Sequence, residues 1–237
     1  MTVVADQQIS LIIPAAGSGE RMGKTVPKPY LKLDGKSVLE HTLSAFTGLK
    51  RLGEVIISTS PEFHDETEEL LSRLFGHLRH SVVRGGAERQ DSIRNALKNV
   101  SEKSGLIAVH DAVRPFVSFQ DIEKCVSEAT KWGGAVLAVP VRDTIKVAGS
   151  EQEIVSTPKR DSLWHAQTPQ VFWAALLREA YANAAEYNIS GSDDSSLVEA
   201  IGGKVVLVEG SASNFKLTYP MDLQIAEFLI QKEDSQE

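Results

Sequence analysis

The chain has 237 residues, 42% of them hydrophobic, which is enough apolar material for one sizeable core, and its formal net charge of −7 argues against a nucleic-acid binder. No basic leader precedes an apolar segment, and nowhere do about 18 apolar residues run together, so neither export nor membrane insertion is expected. The lone cysteine, Cys125, has no partner for an internal disulfide and reads as a buried thiol in a reducing cytoplasm. The expectation is one cytoplasmic domain over residues 1–237, with small anions as partners at a local basic site.

Short β-branched runs at 10–15, 54–59, 81–84, 106–110, 135–139 and 204–208 read as strands, and amphipathic helices lie between them. Ser37-x-x-Glu40 and Ser118-x-x-Asp121 read as capping boxes, Ser60-Pro61 places a cap before a first-turn proline, and Ser192 reads as the cap of a helix opening with Asp193-Asp194. This alternation predicts an α/β fold, a mostly parallel twisted sheet with helices on both faces. It breaks over residues 141–163, where strand-like pieces at 144–147 and 153–156 flank a polar turn and predict a projecting β-arm. A bare surface hairpin satisfies that pattern. So does an arm held by a partner chain, which would stabilise a ribbon that is marginal alone in water.

The first strand runs into Pro14-Ala15-Ala16-Gly17-Ser18-Gly19-Glu20-Arg21-Met22-Gly23, followed by Pro27-Lys28-Pro29-Tyr30. Small residues at 15–19 let backbone N–H groups close on a polyanion, and Arg21 and Lys28 supply cations that a plain turn would not need. Two common phosphate motifs miss by one residue. Ser18 stands where Walker A needs its first glycine, and Met22 stands where the dinucleotide fingerprint needs its third. No acidic residue ends the second strand, which further disfavours a dehydrogenase.

Open parallel sheets bind ligands at the carboxyl ends of their strands, and the polar clusters follow that rule. They are Gly85-Gly86-Ala87-Glu88-Arg89, Asp111-Ala112-Val113-Arg114-Pro115, Pro140-Val141-Arg142-Asp143-Thr144 and the loop at 210–216. Asp111, beside a triphosphate, would hold magnesium, a hard cation that prefers oxygen ligands. Arg114, Arg142, Lys146, Arg160 and Lys216 are the cations that a second phosphate-bearing substrate would need. His110 has no partner at zinc spacing and reads as structural, and no Ser/His/Asp arrangement supports acyl chemistry.

The set formed by the first loop, residues 85–92, 110–115 and 140–144, and Ala166-Gln167-Thr168-Pro169-Gln170 resembles the 2-C-methyl-D-erythritol 4-phosphate cytidylyltransferase family. The resemblance implies a Rossmann-like fold of the nucleotide-diphospho-sugar transferase type. It also implies transfer of CMP from CTP to methylerythritol phosphate with magnesium. By this likeness Ala15, Ala16, Gly17, Ser18, Gly19, Gly86 and Ser92 bind CTP, Arg21 and Lys28 stabilise charge on the α-phosphate, and Asp111 sits at the metal. Arg160 and Lys216 position the attacking phosphate, and Arg114, Thr144, Thr168 and Ser192 line the acceptor site. The resemblance further implies a homodimer with interlocking arms, in which Thr144 and Arg160 serve the partner's site. A ribitol 5-phosphate cytidylyltransferase and a non-catalytic nucleotide-binding module are the competing readings.

Overall fold

The computed structural model describes residues 7–17 and 26–234. In chain order the elements are β1 (Gln8–Pro14), β2 (Lys32–Leu33), β3 (Lys36–Ser37), α1 (Val38–Ser44), β4 (Leu52–Thr59), α2 (His64–Phe75), β5 (Arg79–Arg84), α3 (Arg89–Leu97) and β6 (Ser104–Val109). There follow α4 (Phe119–Trp132), β7 (Gly134–Pro140), β8 (Val147–Ala148), β9 (Ile154–Ser156), β10 (Trp164–Trp173), α5 (Ala174–Glu186), α6 (Asp194–Ala200), β11 (Val206–Glu209) and α7 (Pro220–Asp234).

Seven strands form one sheet in the order β11-β7-β10-β6-β1-β4-β5, parallel except for β10, which runs antiparallel between β6 and β7. Side chains alternate along β1: Ile9, Leu11 and Ile13 enter a core under α1, α2 and α4, whereas Ile12 enters one under α3, α5 and α6. Both faces of the sheet are therefore covered, which is why Leu11–Ile13 of β1 and Leu106–Val109 of β6 are apolar on both sides. Cys125 is fully buried in the first of these cores, and burial raises its thiol pKa. A third, smaller cluster packs Leu223, Ala226 and Ile230 of α7 against Leu31, Leu33, Val113 and Leu217.

The chain moves from β1 outward through β4 to β5, then returns to place β6 on the other side of β1. That reversal opens a crevice at the carboxyl ends of β1 and β6, where ligands bind in sheets of this kind. β10, absent from the sequence reading, occupies the middle of the sheet despite Pro169. Its ladder to β7 shifts between Ala166 and Gln170, so the proline, which has no N–H to give, falls where the pairing is interrupted.

The arm forms, but its first strand begins at Val147 rather than at Thr144; Val147 pairs with Ser156 and Ala148 with Ile154. Its base is closed by the Val141 N–H donating to Leu163 O at 3.0 Å. Ser37 and Ser118 cap α1 and α4, accepting from the N–H groups of Glu40 and Asp121, but only this half of each capping box forms, because the Glu40 and Asp121 carboxylates pair with Arg73 and Lys124 instead. Ser60 occupies the cap position of its turn without a side-chain bond to it. The cap of α6 is Asp193, one residue later than the sequence placed it: its carboxylate accepts from Ser196 N at 2.9 Å, and Asp193 is the residue at which the backbone is still extended.

Candidate active site

A cavity of about 510 Å³ opens at the carboxyl edge of the sheet, between the loops that follow β1, β5 and β6 and the segment that leads into α7. Ala15, Ala16 and Gly17 form one wall, leaving the end of β1 where Ala15 N donates to Ser58 O at 2.7 Å. The β5 loop approaches so closely that a Cβ on Gly85 would fall 2.1 Å from the Ala16 Cβ, and one on Gly86 would fall 2.1 Å from the Asp91 Cβ. Only glycines permit this approach. Ser92 holds the turn, accepting from Gly86 N at 3.0 Å and donating to Glu88 O at 3.1 Å.

Lys28 lies on the cavity wall with its Nζ donating to Thr218 O at 2.7 Å. The turn that carries it is fixed by Tyr30, whose buried hydroxyl bonds to Thr59 and Thr67 and whose ring stacks on Phe63 at 4.0 Å. Burial raises the Tyr30 pKa, keeping it a proton donor.

Asp111 faces the same space and gathers three cations. Arg89 Nε contacts its Oδ1 at 3.1 Å, and Arg114 Nε and Lys216 Nζ contact its Oδ2 at 3.2 Å each. Burial alone would push this carboxyl upward, but Arg89, Lys216 and Arg114 together hold it far below the usual carboxylate range, so it is ionised. Lys216 is placed by Leu217 N donating to Val113 O at 2.9 Å, and Arg114 by donation to Asn214 O at 2.8 Å.

Behind Asp111 runs a chain of hydrogen bonds that has one consistent polarity. Asp111 N–H donates to Thr168 Oγ1 at 3.0 Å, and His110 Nε2 lies 3.1 Å from Arg114 O, which only accepts, so Nε2 carries the ring proton. Nδ1 therefore accepts from the Thr168 hydroxyl at 3.0 Å. His110 is fully buried, and burial lowers its pKa to about 4. The folded pKa lies below the unfolded one, so the unfolded chain takes up the proton first as pH falls, and stability is lost between about pH 6.5 and pH 4. Unfolding free energy measured by denaturant titration without divalent ions is expected to fall near pH 5 by about 1.4 kcal/mol per pH unit, a slope missing from His110→Gln. Equal slopes in the two proteins would remove His110 as its source.

The structure thus brings Ala15, Ala16, Gly17, Lys28, Gly86, Ser92, Asp111 and Lys216 to one cavity, with Arg114 ion-paired to Asp111 behind it. Ser18, Gly19 and Arg21 lie outside the described residues. Thr168 is buried and bonded to the Asp111 loop, so its hydroxyl is engaged inside the protein rather than on the cavity wall. Thr144, Arg160 and Ser192 are exposed and do not line the cavity of this chain; Arg160 donates to Arg142 O at 2.7 Å. Arg89 lines the cavity and was legible only as one letter of the 85–92 motif.

The family model described as IspD, 2-C-methyl-D-erythritol 4-phosphate cytidylyltransferase, matches residues 9–232. The chain belongs to this family. Among proteins so named, that of Caldanaerobacter subterraneus subsp. tengcongensis is 40% identical over 225 residues, covering 94% of this chain and 99% of the relative. That of Symbiobacterium thermophilum is 41% identical over 230 residues, covering 96% and 95%. The crystal structure of the cytidylyltransferase from Thermus thermophilus superposes with a TM-score of 0.77 at 37% identity, covering 94% of this chain and 99% of that one. The synthase from Anaerococcus prevotii reaches a TM-score of 0.85 at 30% identity, covering 95% and 99%.

Proposed function

We propose that this cytidylyltransferase transfers CMP from CTP to the 4-phosphate of 2-C-methyl-D-erythritol 4-phosphate, making 4-diphosphocytidyl-2-C-methyl-D-erythritol and pyrophosphate for isoprenoid precursor synthesis. The observation that carries the reading is the convergence of Lys28, Lys216 and Asp111 on one cavity also lined by residues 15–17 and 86–88. An acceptor phosphate oxygen attacks the α-phosphorus of CTP; the new P–O bond forms as the bond to the bridging oxygen of the β-phosphate breaks, and pyrophosphate leaves. The attacking phosphate is already ionised at neutral pH, so no general base is required, and positioning and charge stabilisation carry the rate.

In this reading Ala16, Gly17 and the Gly86 turn receive CTP, with Ala15 held at the strand end by its bond to Ser58 O, and Lys28, with Arg21, meets charge growing on the α-phosphate. Lys216, whose side chain is 40% exposed, can turn from Asp111 to an incoming phosphate. Arg114 anchors the loop against which the acceptor would lie. Asp111 fits magnesium: the ion is commonly held by one or two carboxylates together with phosphate oxygens and waters, and the Asp111 oxygens have lone-pair sites beyond their ion pairs. Magnesium would neutralise triphosphate charge. Among the described residues no group of three His, Cys, Asp or Glu side chains is placed to hold a metal, so the phosphates would supply the remaining ligands.

The arm carries Ile154 and Val155 of β9 at 65% and 63% exposure, an apolar strand surface that a second copy of the chain would cover. We assign the arm to a homodimer in which Thr144 and Arg160 reach the partner's cavity. The buried, unpaired Cys125 suits a reducing cytoplasm. Among the described residues no helix is long and apolar enough to cross a membrane.

Purified protein assayed with CTP and magnesium is expected to release pyrophosphate with methylerythritol 4-phosphate, and at least tenfold more slowly with ribitol 5-phosphate. Preference for ribitol 5-phosphate would reassign the acceptor. CTP binding with no pyrophosphate from either would leave a binding module.

A further inference from the structure

Arg89 is shared between two carboxylates that have different surroundings. Its Nε donates to Asp111 Oδ1 at 3.1 Å, on the cavity wall, and its Nη2 donates to Asp194 Oδ2 at 2.8 Å. Asp194 is fully buried near the start of α6, and its other oxygen accepts the Tyr181 hydroxyl at 2.5 Å. Neither Asp194 nor Tyr181 lines the cavity. Burial and the neighbouring carboxylate raise the Tyr181 pKa, so its hydroxyl remains a donor, and Asp194 keeps a partner on each oxygen.

A guanidinium facing a single carboxylate tends to give it two parallel N–H bonds and so occupy both oxygens. Here Asp194 takes the second nitrogen. Asp111 Oδ1 therefore receives one N–H from Arg89, while Arg114 and Lys216 go to Oδ2. An oxygen with a single donor keeps a lone pair for another ligand.

We propose that Asp194, oriented by Tyr181, is a positioning residue that draws one edge of Arg89 away from Asp111 and so leaves Asp111 able to accept the divalent cation that accompanies CTP. This rests on the assignment of Asp111 to magnesium. Without the buried carboxylate, Arg89 turns both nitrogens onto Asp111 and competes with the metal. Groups that hold a metal's ligands in place typically affect affinity by 10- to 100-fold.

The test is Mn²⁺ binding in the presence of CTP and absence of acceptor, followed by the electron paramagnetic resonance signal of free Mn²⁺, so that no turnover is needed. Asp194→Asn is expected to weaken Mn²⁺ binding about tenfold, and Tyr181→Phe to weaken it in the same direction by less. CTP binding without metal is expected to stay within about twofold, which separates positioning of a metal ligand from general loosening of the fold. Mn²⁺ affinity of Asp194→Asn within twofold of wild type overturns the proposal. If that variant does not fold, unchanged Mn²⁺ affinity in Tyr181→Phe overturns it instead. Asp111→Asn separates the two levels: undiminished Mn²⁺ binding there removes Asp111 as a metal ligand and the proposal with it, whereas weakened binding there beside an unaffected Asp194→Asn removes the proposal alone.

Discussion

Lys28→Ala is expected to lower kcat by roughly 10²- to 10³-fold, the scale seen when a donor aimed at developing charge is removed. The case rests on how Lys28 is held. It sits on a short turn whose next residues are locked by the Tyr30 hydroxyl network and ring stack, and its ammonium is fixed beside the cavity by Thr218 O. A cation held in this way needs no reorganisation when negative charge builds on phosphorus, so it favours the transition state over bound CTP. The loss is therefore expected mainly in kcat under saturating CTP and acceptor, with a smaller change in KM. Near-normal kcat would remove Lys28 from the chemistry. A comparable rise in KM at constant kcat would make it a binding residue only.

The second large effect concerns the arm. If the arm crosses the proposed homodimer, Arg160→Ala and Lys28→Ala proteins are each expected to lose activity by about 10²-fold or more, whereas a confirmed hybrid of the two chains should recover about half the wild-type activity per dimer. In the hybrid the Arg160→Ala chain keeps an intact cavity and receives an intact arm from its partner, so one of the two sites is whole. The structural motive is that Arg160 and Thr144 are exposed and do not line their own chain's cavity. If Arg160 acts within its own chain, both sites of the hybrid are defective, and activity remains at the level of the variants.

The parts of the site that could be read from residue order are those within one strand-to-loop transition. The run from Leu11 to Gly17 leaves a buried strand and immediately needs small residues, and Asp111 follows an apolar strand by two positions. The likeness implies an acceptor-site place for Thr168 and Ser192, and what the fold adds is local: the Thr168 hydroxyl bonds to His110 and the Asp111 N–H, and Asp193 rather than Ser192 caps α6. A hydroxyl's partner is set by whichever loop packs over it, and local sequence carries no record of that. The role of Asp194 was hidden for the same reason, since an aspartate at a helix start reads as a response to the helix dipole. Its contact with Arg89 spans 105 positions of chain.

Residue order was enough to establish the α/β alternation, the loop of small residues after β1, the buried cysteine and the sorting of polar clusters to one sheet edge, because strand periodicity and turn chemistry are local. The antiparallel entry of β10 between β6 and β7, and the bridging of two carboxylates by Arg89, emerged with the folded arrangement alone. Strand order and ion pairing depend on which distant segments exclude water together, and that is fixed only when the cores on both faces of the sheet close.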